Sequence, residues 1–395
     1  MHAVLHAYDK LKGDRIVWLI VTLLSLFSLL IVYSTSTSVV YKMNTDTTST
    51  EWYLIRQMMF IAAGFVLMYT AYRLHYMIYA KLAPFLMIIA VPLLIYTALF
   101  GVEVNDAARW VKIPILDISF QTSDFAKLAL ILYLARSLAM KQEYIKDFKN
   151  AFIPVIAPVL LICGLILPSN LSTAALLFVT CFLMMFIGRI ALKYVLLLLL
   201  AGAILFSAVF VAGKFFPEHI RTETWISRVD EFLHSDGEYQ VQQSKIAIAN
   251  GGILGVGPGN STQRNILPYA YADFIYSIIC EEYGMLGGFI ILIFYLWLLF
   301  RSISLVTKSP KTFGAILALG LTLNIVIQAF ANIAVSVQLV PATGLTLPLI
   351  SMGGTSYLFT CISLGIILSV SRFVEEAFQE KRKLDQLNVT DEGGH

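Results

Sequence analysis

Tyr194-Val195-Leu196-Leu197-Leu198-Leu199-Leu200-Ala201-Gly202-Ala203-Ile204-Leu205-Phe206-Ser207-Ala208-Val209-Phe210-Val211 carries no charge over nearly the length of a bilayer crossing. About 20 apolar residues in a helix span the hydrocarbon layer. Outward from this run, comparable segments recur, and ten spans follow: 16–36, 54–72, 82–101, 121–139, 151–168, 171–187, 191–213, 273–300, 312–336 and 350–371. Each is predicted helical because a segment in lipid must satisfy its own backbone hydrogen bonds. Of the 395 residues 58% are hydrophobic and 13% charged, against about 25% charged in a soluble domain. The fold class is an all-α polytopic membrane protein of ten transmembrane helices with one large external loop. A single domain over 1–372 and a polar, loose cytoplasmic tail over 373–395 complete the expected organisation.

Basic residues orient the chain. With the N-terminus inside, inner segments hold Lys10, Lys12 and Arg15, then Arg73 and Lys81, then Arg136, Lys141, Lys146 and Lys149. Arg189 and Lys193, Arg301, Lys308 and Lys311, and finally Arg372, Lys381, Arg382 and Lys383 continue the pattern. The positive-inside rule then places both termini in the cytoplasm. The net charge of +3 is scattered over segment ends, which gives no reason to expect a nucleic-acid partner. The first span reads as an uncleaved anchor, having no small-residue cleavage site after it. Cys163, Cys181, Cys280 and Cys361 all fall in apolar segments without a close pair, so neither a disulfide nor a cysteine metal site is expected.

The external loop, 214–272, is long enough to be functional. Trp225, Phe232, Tyr239 and Ile246-Ala247-Ile248 alternate with charges as in short amphipathic helices on a membrane surface. Gly251-Gly252-Ile253-Leu254-Gly255-Val256-Gly257-Pro258-Gly259 permits tight turns and close backbone approach. Where the loop re-enters an apolar segment stands Asp273, in Leu267-Pro268-Tyr269-Ala270-Tyr271-Ala272-Asp273-Phe274. An acid at the membrane rim is costly and often functional. The same residue equally suits the N-cap of a helix starting at Phe274, and position alone leaves both readings open.

Three stretches resemble the SEDS family (shape, elongation, division and sporulation). They are Tyr239–Gly252, Gly255-Val256-Gly257-Pro258-Gly259-Asn260-Ser261-Thr262-Gln263-Arg264, and Leu267-Pro268 through Asp273 to Glu281-Glu282-Tyr283-Gly284. The resemblance continues at Ala107-Ala108-Arg109-Trp110, at Phe120-Gln121-Thr122-Ser123-Asp124-Phe125-Ala126-Lys127, and from Val340-Pro341 to Thr355-Ser356. It covers essentially the whole chain apart from the tails. The sequence departs from the pattern where the usual Pro-Glu-Ala-His-Thr-Asp is Pro268-Tyr269-Ala270-Tyr271-Ala272-Asp273, leaving Asp273 as the only acid at that junction. Asn170 stands where the family carries an aspartate, and cannot serve as a base.

The resemblance implies a peptidoglycan glycosyltransferase that polymerises lipid II, a disaccharide-pentapeptide on undecaprenyl diphosphate, outside the cytoplasmic membrane. A single displacement needs one base and one cationic clamp, and it inverts the donor to a β-1,4 linkage without the close carboxylate pair of retaining glycosidases. Asp273 is the candidate base. Arg109 and Lys127 are candidates for holding the diphosphate, with magnesium or manganese as an alternative to them. Asp124 shares a helix face with Lys127. Both a self-neutralising buried pair and a groove lining suit these two. Gln243, Ser244, Ser261, Gln263 and Arg264 near the glycines, and Thr343, Ser351 and Ser356 opposite, are further substrate-binding candidates that also suit structural roles.

Within the family, the Tyr-rich approach to Asp273 looks more like the division-type branch, which implies work at the division septum. An elongation-type polymerase of the RodA kind is the alternative. Either would act with a class B penicillin-binding protein, a transpeptidase, and the division type with further divisome proteins. A lipid II flippase and a non-catalytic scaffold are the remaining readings, both with membrane lipids as surroundings.

Overall fold

The computed structural model describes residues 13–43, 50–103, 108–113, 118–145, 147–215, 222–234, 239–268 and 270–392. Lys10, Lys12, Ala107, Lys146, Tyr269, loop positions 216–221 and 235–238, and the end of the tail lie outside them. Helices stand at all ten expected spans: α1 (Arg15–Met43), α2 (Thr50–Arg73), α3 (Tyr76–Phe100), α4 (Thr122–Met140), α5 (Ile153–Ile166), α6 (Leu171–Ile187) and α7 (Leu192–Phe215). After α8 (Thr222–His234) and α9 (Tyr239–Gly251) of the long loop come α10 (Ile275–Lys308), α11 (Thr312–Ser336) and α12 (Thr355–Glu392). Seven of the ten are long and apolar enough to cross a membrane; α5 and α6 are shorter, and α4 carries Asp124, Lys127 and Arg136.

Burial sorts the helices. Most of α4 and α11 is enclosed, their polar residues included, whereas α7 and the outer faces of α2 and α3 expose Leu196, Leu200, Ile204, Val66, Phe85 and Ile88. Those side chains suit lipid. With no hydrophobic drive between helices in lipid, close backbone approach must hold the bundle. Accordingly α12 presses on α2, where a Cβ on Gly365 would lie 2.4 Å from the Met68 carbonyl oxygen. Ser25 Oγ meets the Tyr357 hydroxyl at 2.7 Å, and Ser28 Oγ donates to the Ile350 carbonyl at 2.7 Å. These bonds tie α1 to the α12 region.

Two features depart from the expected all-helical layout. Between α3 and α4 lies a three-stranded antiparallel sheet, β1 (Val102–Glu103), β2 (Ala108–Ile113) and β3 (Ile118–Gln121), with Trp110 opposite Gln121 and Val111 opposite Phe120. Its aromatic and β-branched residues favour strands. At the other end α12 stays helical to Glu392, so the tail beyond 372 begins as helix rather than as loose chain.

The second half of the long loop between α7 and α10 packs against the bundle. Val241, Ser244, Ala247 and Gly251 form the buried face of α9 at helical spacing, and a Cβ on Gly251 would fall 1.9 Å from the Cys280 carbonyl oxygen. So α9 packs on α10 instead of lying on a membrane surface. The helix it meets is broken: Gly284 has φ +70° and ψ −174°. The glycine loop replaces the bonds lost there. Val256 N donates to Glu281 O at 2.9 Å and Gly257 N to Glu282 O at 3.0 Å, while Met285 N donates to Gly252 O at 2.9 Å. The carboxylates reinforce this, since Glu281 accepts from Ser261 Oγ and from Thr262 N at 3.2 Å, and Glu282 accepts from Ser34 Oγ.

Gly284 combines a left-handed φ with a Cβ position 2.2 Å from Ile253 O, whereas Gly252 has φ +52° and open space around it. Gly252→Ala should cost about 1–2 kcal/mol for the backbone alone. Gly284→Ala should cost about 1–3 kcal/mol more through the clash, giving a clearly lower thermal unfolding midpoint in detergent; equal midpoints would contradict the packing described.

Candidate active site around Asp273

Three successive carbonyls fix the approach to Asp273. Met352 N donates to Tyr271 O at 3.0 Å, Ser351 Oγ to Ala272 O at 2.6 Å, and Asn332 Nδ2 to Asp273 O at 2.7 Å. Asn332 Nδ2 also donates to Leu345 O at 2.7 Å, so one side chain of α11 holds both the Asp273 segment and the chain before α12. Gly344, at φ +65°, passes close beneath, where an added Cβ would be 3.7 Å from Asp273 Oδ2. The cap of α10 is Phe274, with no side-chain cap bond. Asp273 is therefore not the helix cap that its position allowed.

Its side chain is free for another use. It faces a cavity of about 430 Å³ that Arg56, Arg109, Asp124, Lys127, Asn170 and Gln328 also line, with Trp110, Ser119 and Gln121 of the small sheet on one side. Its opposite face borders a smaller cavity of about 90 Å³ with Arg228, Gln240, Asn332 and Thr343. Burial pushes the Asp273 carboxyl up to about 6, against the pull of Arg109 and Arg228, which favour its charged form.

The cations of the larger cavity are held from behind. Arg109 Nε donates to Ser169 O at 2.8 Å. Lys127 Nζ lies 2.8 Å from Asp124 Oδ1 and donates to Gln328 Oε1 at 3.4 Å, and Gln328 Nε2 in turn donates to Thr346 O at 3.0 Å. Asp124 and Lys127 are thus a buried pair and cavity wall at once. Asp124 Oδ2 is buried with no hydrogen-bond partner among the described residues. Arg56 sits at the exposed side over Trp52 and Phe60, 5.2 and 5.9 Å from the ring centres.

Of the residues singled out in the sequence, Asp273, Arg109, Asp124, Lys127 and Ser356 line this cavity, and Thr343 lines the smaller one. The others lie outside both, engaged elsewhere. Ser244 Oγ bonds Ser277 Oγ and donates to Ser336 O; Ser261 and Gln263 bind Glu281; Arg264 Nη1 donates to Ser34 O at 3.0 Å. Ser351 works through the Ala272 carbonyl. Gln243 is half-buried on α9, away from both cavities. The glycine-loop set therefore shapes the support of the site rather than its lining.

Sequence reading passed over Arg56, Arg228, Gln328 and Asn332. For the last two a signal existed: Asn324, Gln328 and Asn332 recur every four residues in an apolar span, a polar stripe that is expensive in lipid unless partnered or used. Arg228 offered none, lying in a loop whose distance from Asp273 closes only in three dimensions. Among the described residues no three His, Cys, Asp or Glu side chains gather to hold a metal ion.

A family model described as a cell cycle protein family, that of FtsW, RodA and SpoVE, matches residues 14–376. Stage V sporulation protein E of Bacillus subtilis is 31% identical over 369 residues, covering 92% of this chain and 98% of that protein. The probable peptidoglycan glycosyltransferase FtsW of the same organism is 32% identical over 378 residues, covering 92% and 91%. Among solved structures, a chain from a peptidoglycan synthase complex described as coordinating polymerization and crosslinking superposes with a TM-score of 0.70 at 24% identity, covering 92% and 98%. The rod shape determining protein RodA of Thermus thermophilus superposes at 0.66 with 23% identity, covering 92% and 98%. With a single family pattern running from Asp14 to Glu376 and the same fold in these neighbours, the chain belongs to the FtsW, RodA and SpoVE family, the SEDS proteins.

Proposed function

We propose that the chain is a peptidoglycan glycosyltransferase that polymerises lipid II on the outer face of the cytoplasmic membrane, with Asp273 as general base. The observation that carries this is a carboxylate with a raised pKa opening onto a cation-lined cavity. Relatives named as peptidoglycan glycosyltransferases support the activity. Asp273 takes the proton from the acceptor's sugar hydroxyl as that oxygen attacks the anomeric carbon of the donor. The bond to the diphosphate breaks, its electron pair leaves with the phosphate, and Arg56, Arg109 and Lys127 hold the charge that develops. Attack from the face opposite the leaving group inverts the centre to β. A carboxylate near 6 is mostly ionised at neutral pH yet basic enough to share a proton in the transition state. A divalent cation, magnesium or manganese, is the alternative to these side chains for holding the diphosphate.

The division-type role, with septal location, is favoured over a RodA-type role by the Tyr-rich approach to Asp273, and a class B penicillin-binding protein is the expected crosslinking partner. The structural neighbour taken from a complex of polymerization and crosslinking supports such a partner. Both termini are then cytoplasmic, and the Asp273 end is external.

Asp273→Asn should lower glycan synthesis from labelled lipid II by at least about 100-fold, assayed on gels with the cognate transpeptidase present. A flippase would lose lipid II exposure instead, and a scaffold would lose neither. The same variant should be more stable at pH 7. Between 3.8 and about 6 the folded chain holds a proton that the unfolded chain releases, so stability falls as pH rises through that window, and Asn has no charge to desolvate. Its unfolding midpoint should therefore exceed that of wild type at pH 7 and approach it near pH 4.

The wild-type rate should rise with pH around a midpoint near 6, because the ionised base is the active form. Arg109→Gln removes a charge that favours the carboxylate, so its midpoint should move to higher pH; a downward move would contradict the assignment. For orientation, Asn260→Cys should react with an impermeant thiol reagent added outside intact cells, against a low background from four buried native cysteines. Reaction from the inside only would invert the topology.

A further inference from the structure

Each sugar joined by the proposed reaction leaves one proton on Asp273, and that proton must depart before the carboxylate can act again. While substrate fills the larger cavity, that side is closed to water. The other face of Asp273 borders the cavity of about 90 Å³ that Arg228, Gln240, Asn332 and Thr343 also line. A cavity that takes a six-membered ring measures about 150 Å³, so a sugar does not fit here. About three waters do, at roughly 30 Å³ each.

The walls suit water. Asn332 is 1% exposed, and its Nδ2 donates to the carbonyls of Asp273 and Leu345 at 2.7 Å each. Two carbonyl acceptors identify that end as the amide nitrogen, which leaves Oδ1, buried and with no hydrogen-bond partner among the described residues. A water in the cavity answers that atom, since a buried acceptor left unpaired is costly. Gln240, Ala342 and Thr343 are half-buried and Gly344 is exposed, so the cavity lies just beneath the surface on this side. Of its described lining residues only Asp273 exchanges protons near neutral pH, because Arg228, which donates to Ala342 O at 3.1 Å, keeps its charge. Any proton that passes through must therefore travel on water. Arg228 and, from the other side, Arg109 favour the ionised carboxyl and so press the proton outward, while Arg56, Asp124 and Lys127 line the larger cavity.

We propose that the small cavity is the exit for the proton that Asp273 takes from the acceptor, carried to the solution by waters that Asn332 Oδ1, Gln240 and Thr343 hold. This rests on the reading of Asp273 as general base. The acceptor O–H bond breaks as its oxygen bonds the anomeric carbon, the diphosphate departs with the electron pair, and the proton comes to rest on a carboxyl oxygen. From there it passes to the first water as the outermost water gives one up to the solution, which restores the carboxylate. Asn332, Gln240 and Thr343 are then positioning residues, which hold the waters and do not touch the sugars.

The test measures kcat and KM for labelled lipid II with the full chain and its cognate transpeptidase, in dilute and in concentrated imidazole buffer. Thr343→Leu, which fills the cavity, should lower kcat about tenfold in dilute buffer and leave KM unchanged. Concentrated imidazole should restore the rate, because a small base can collect the proton once the product has left the larger cavity. The kcat of this variant should also drop further in heavy water than that of wild type. A wild-type kcat for Thr343→Leu in dilute buffer would overturn the proposal. So would a loss that imidazole does not restore, or one that appears in KM, since either marks a structural role. Should Thr343→Leu fail to fold, Gln240→Leu decides the same comparison. Asp273→Asn tests the base by itself: wild-type activity there sinks the base reading and the exit with it, whereas an inactive Asp273→Asn beside a buffer-independent Thr343→Leu sinks the exit alone.

Discussion

The carboxamide of Asn332 ties together two irregular chain segments inside an apolar bundle, through the carbonyl of Asp273 and that of Leu345. Away from water an unpaired backbone carbonyl is costly, so irregular chain persists at this depth only if side chains or other backbone supply its partners. Ser351 and Met352 do the same for the two residues before Asp273. The carboxylate is thereby aimed by its main chain, and its oxygens remain available to the cavity. That fixed aim suits the base role proposed for Asp273, since a base works best when it is already in place as the substrate arrives.

A second constraint lies one layer behind. The break of α10 at Gly284 frees backbone groups that the glycine loop takes up, and two buried glutamates bind the loop's amides and hydroxyls. The loop therefore functions as a splint for the helix that begins just after Asp273. This changes the meaning of its polar residues. Ser261, Gln263 and Arg264 look like ligand-binding groups when read along the chain, because the one carboxylate that accepts from Ser261 and Gln263, that of Glu281, lies in the next helix, and the Ser34 that receives Arg264 lies in α1.

What was legible in the sequence follows from this. Spans were readable because the bilayer imposes a length and a composition on each helix separately. Asp124 and Lys127 were readable as a pair because three residues on one helix fix their relation. Arg56, Arg109 and Lys127 line one cavity with Asp273 and Arg228 borders the other, and because the four come from separate segments only tertiary packing brings them to this site. The small sheet escaped notice for a related reason: its strands are short, and pairing between them, not periodicity within them, creates it.

Asp273 shows how such a site sets its chemistry by opposition. Capping α10 would have given the carboxylate backbone N–H donors and a helix dipole, both of which lower its pKa. The cap falls to Phe274 instead, which leaves burial opposed by two arginines that are themselves tethered to Ser169 O and Ala342 O. Because each arginine is held by a carbonyl rather than by the acid, neither collapses onto it as an ion pair that would quench its basicity. The result is a carboxylate charged at neutral pH but raised well above the ordinary range, beside a cavity lined by cations, as the proposed transfer requires. Moving the cap by one residue would bring the helix dipole to bear on Asp273 and lower its pKa, so the position of Phe274 is part of the chemistry.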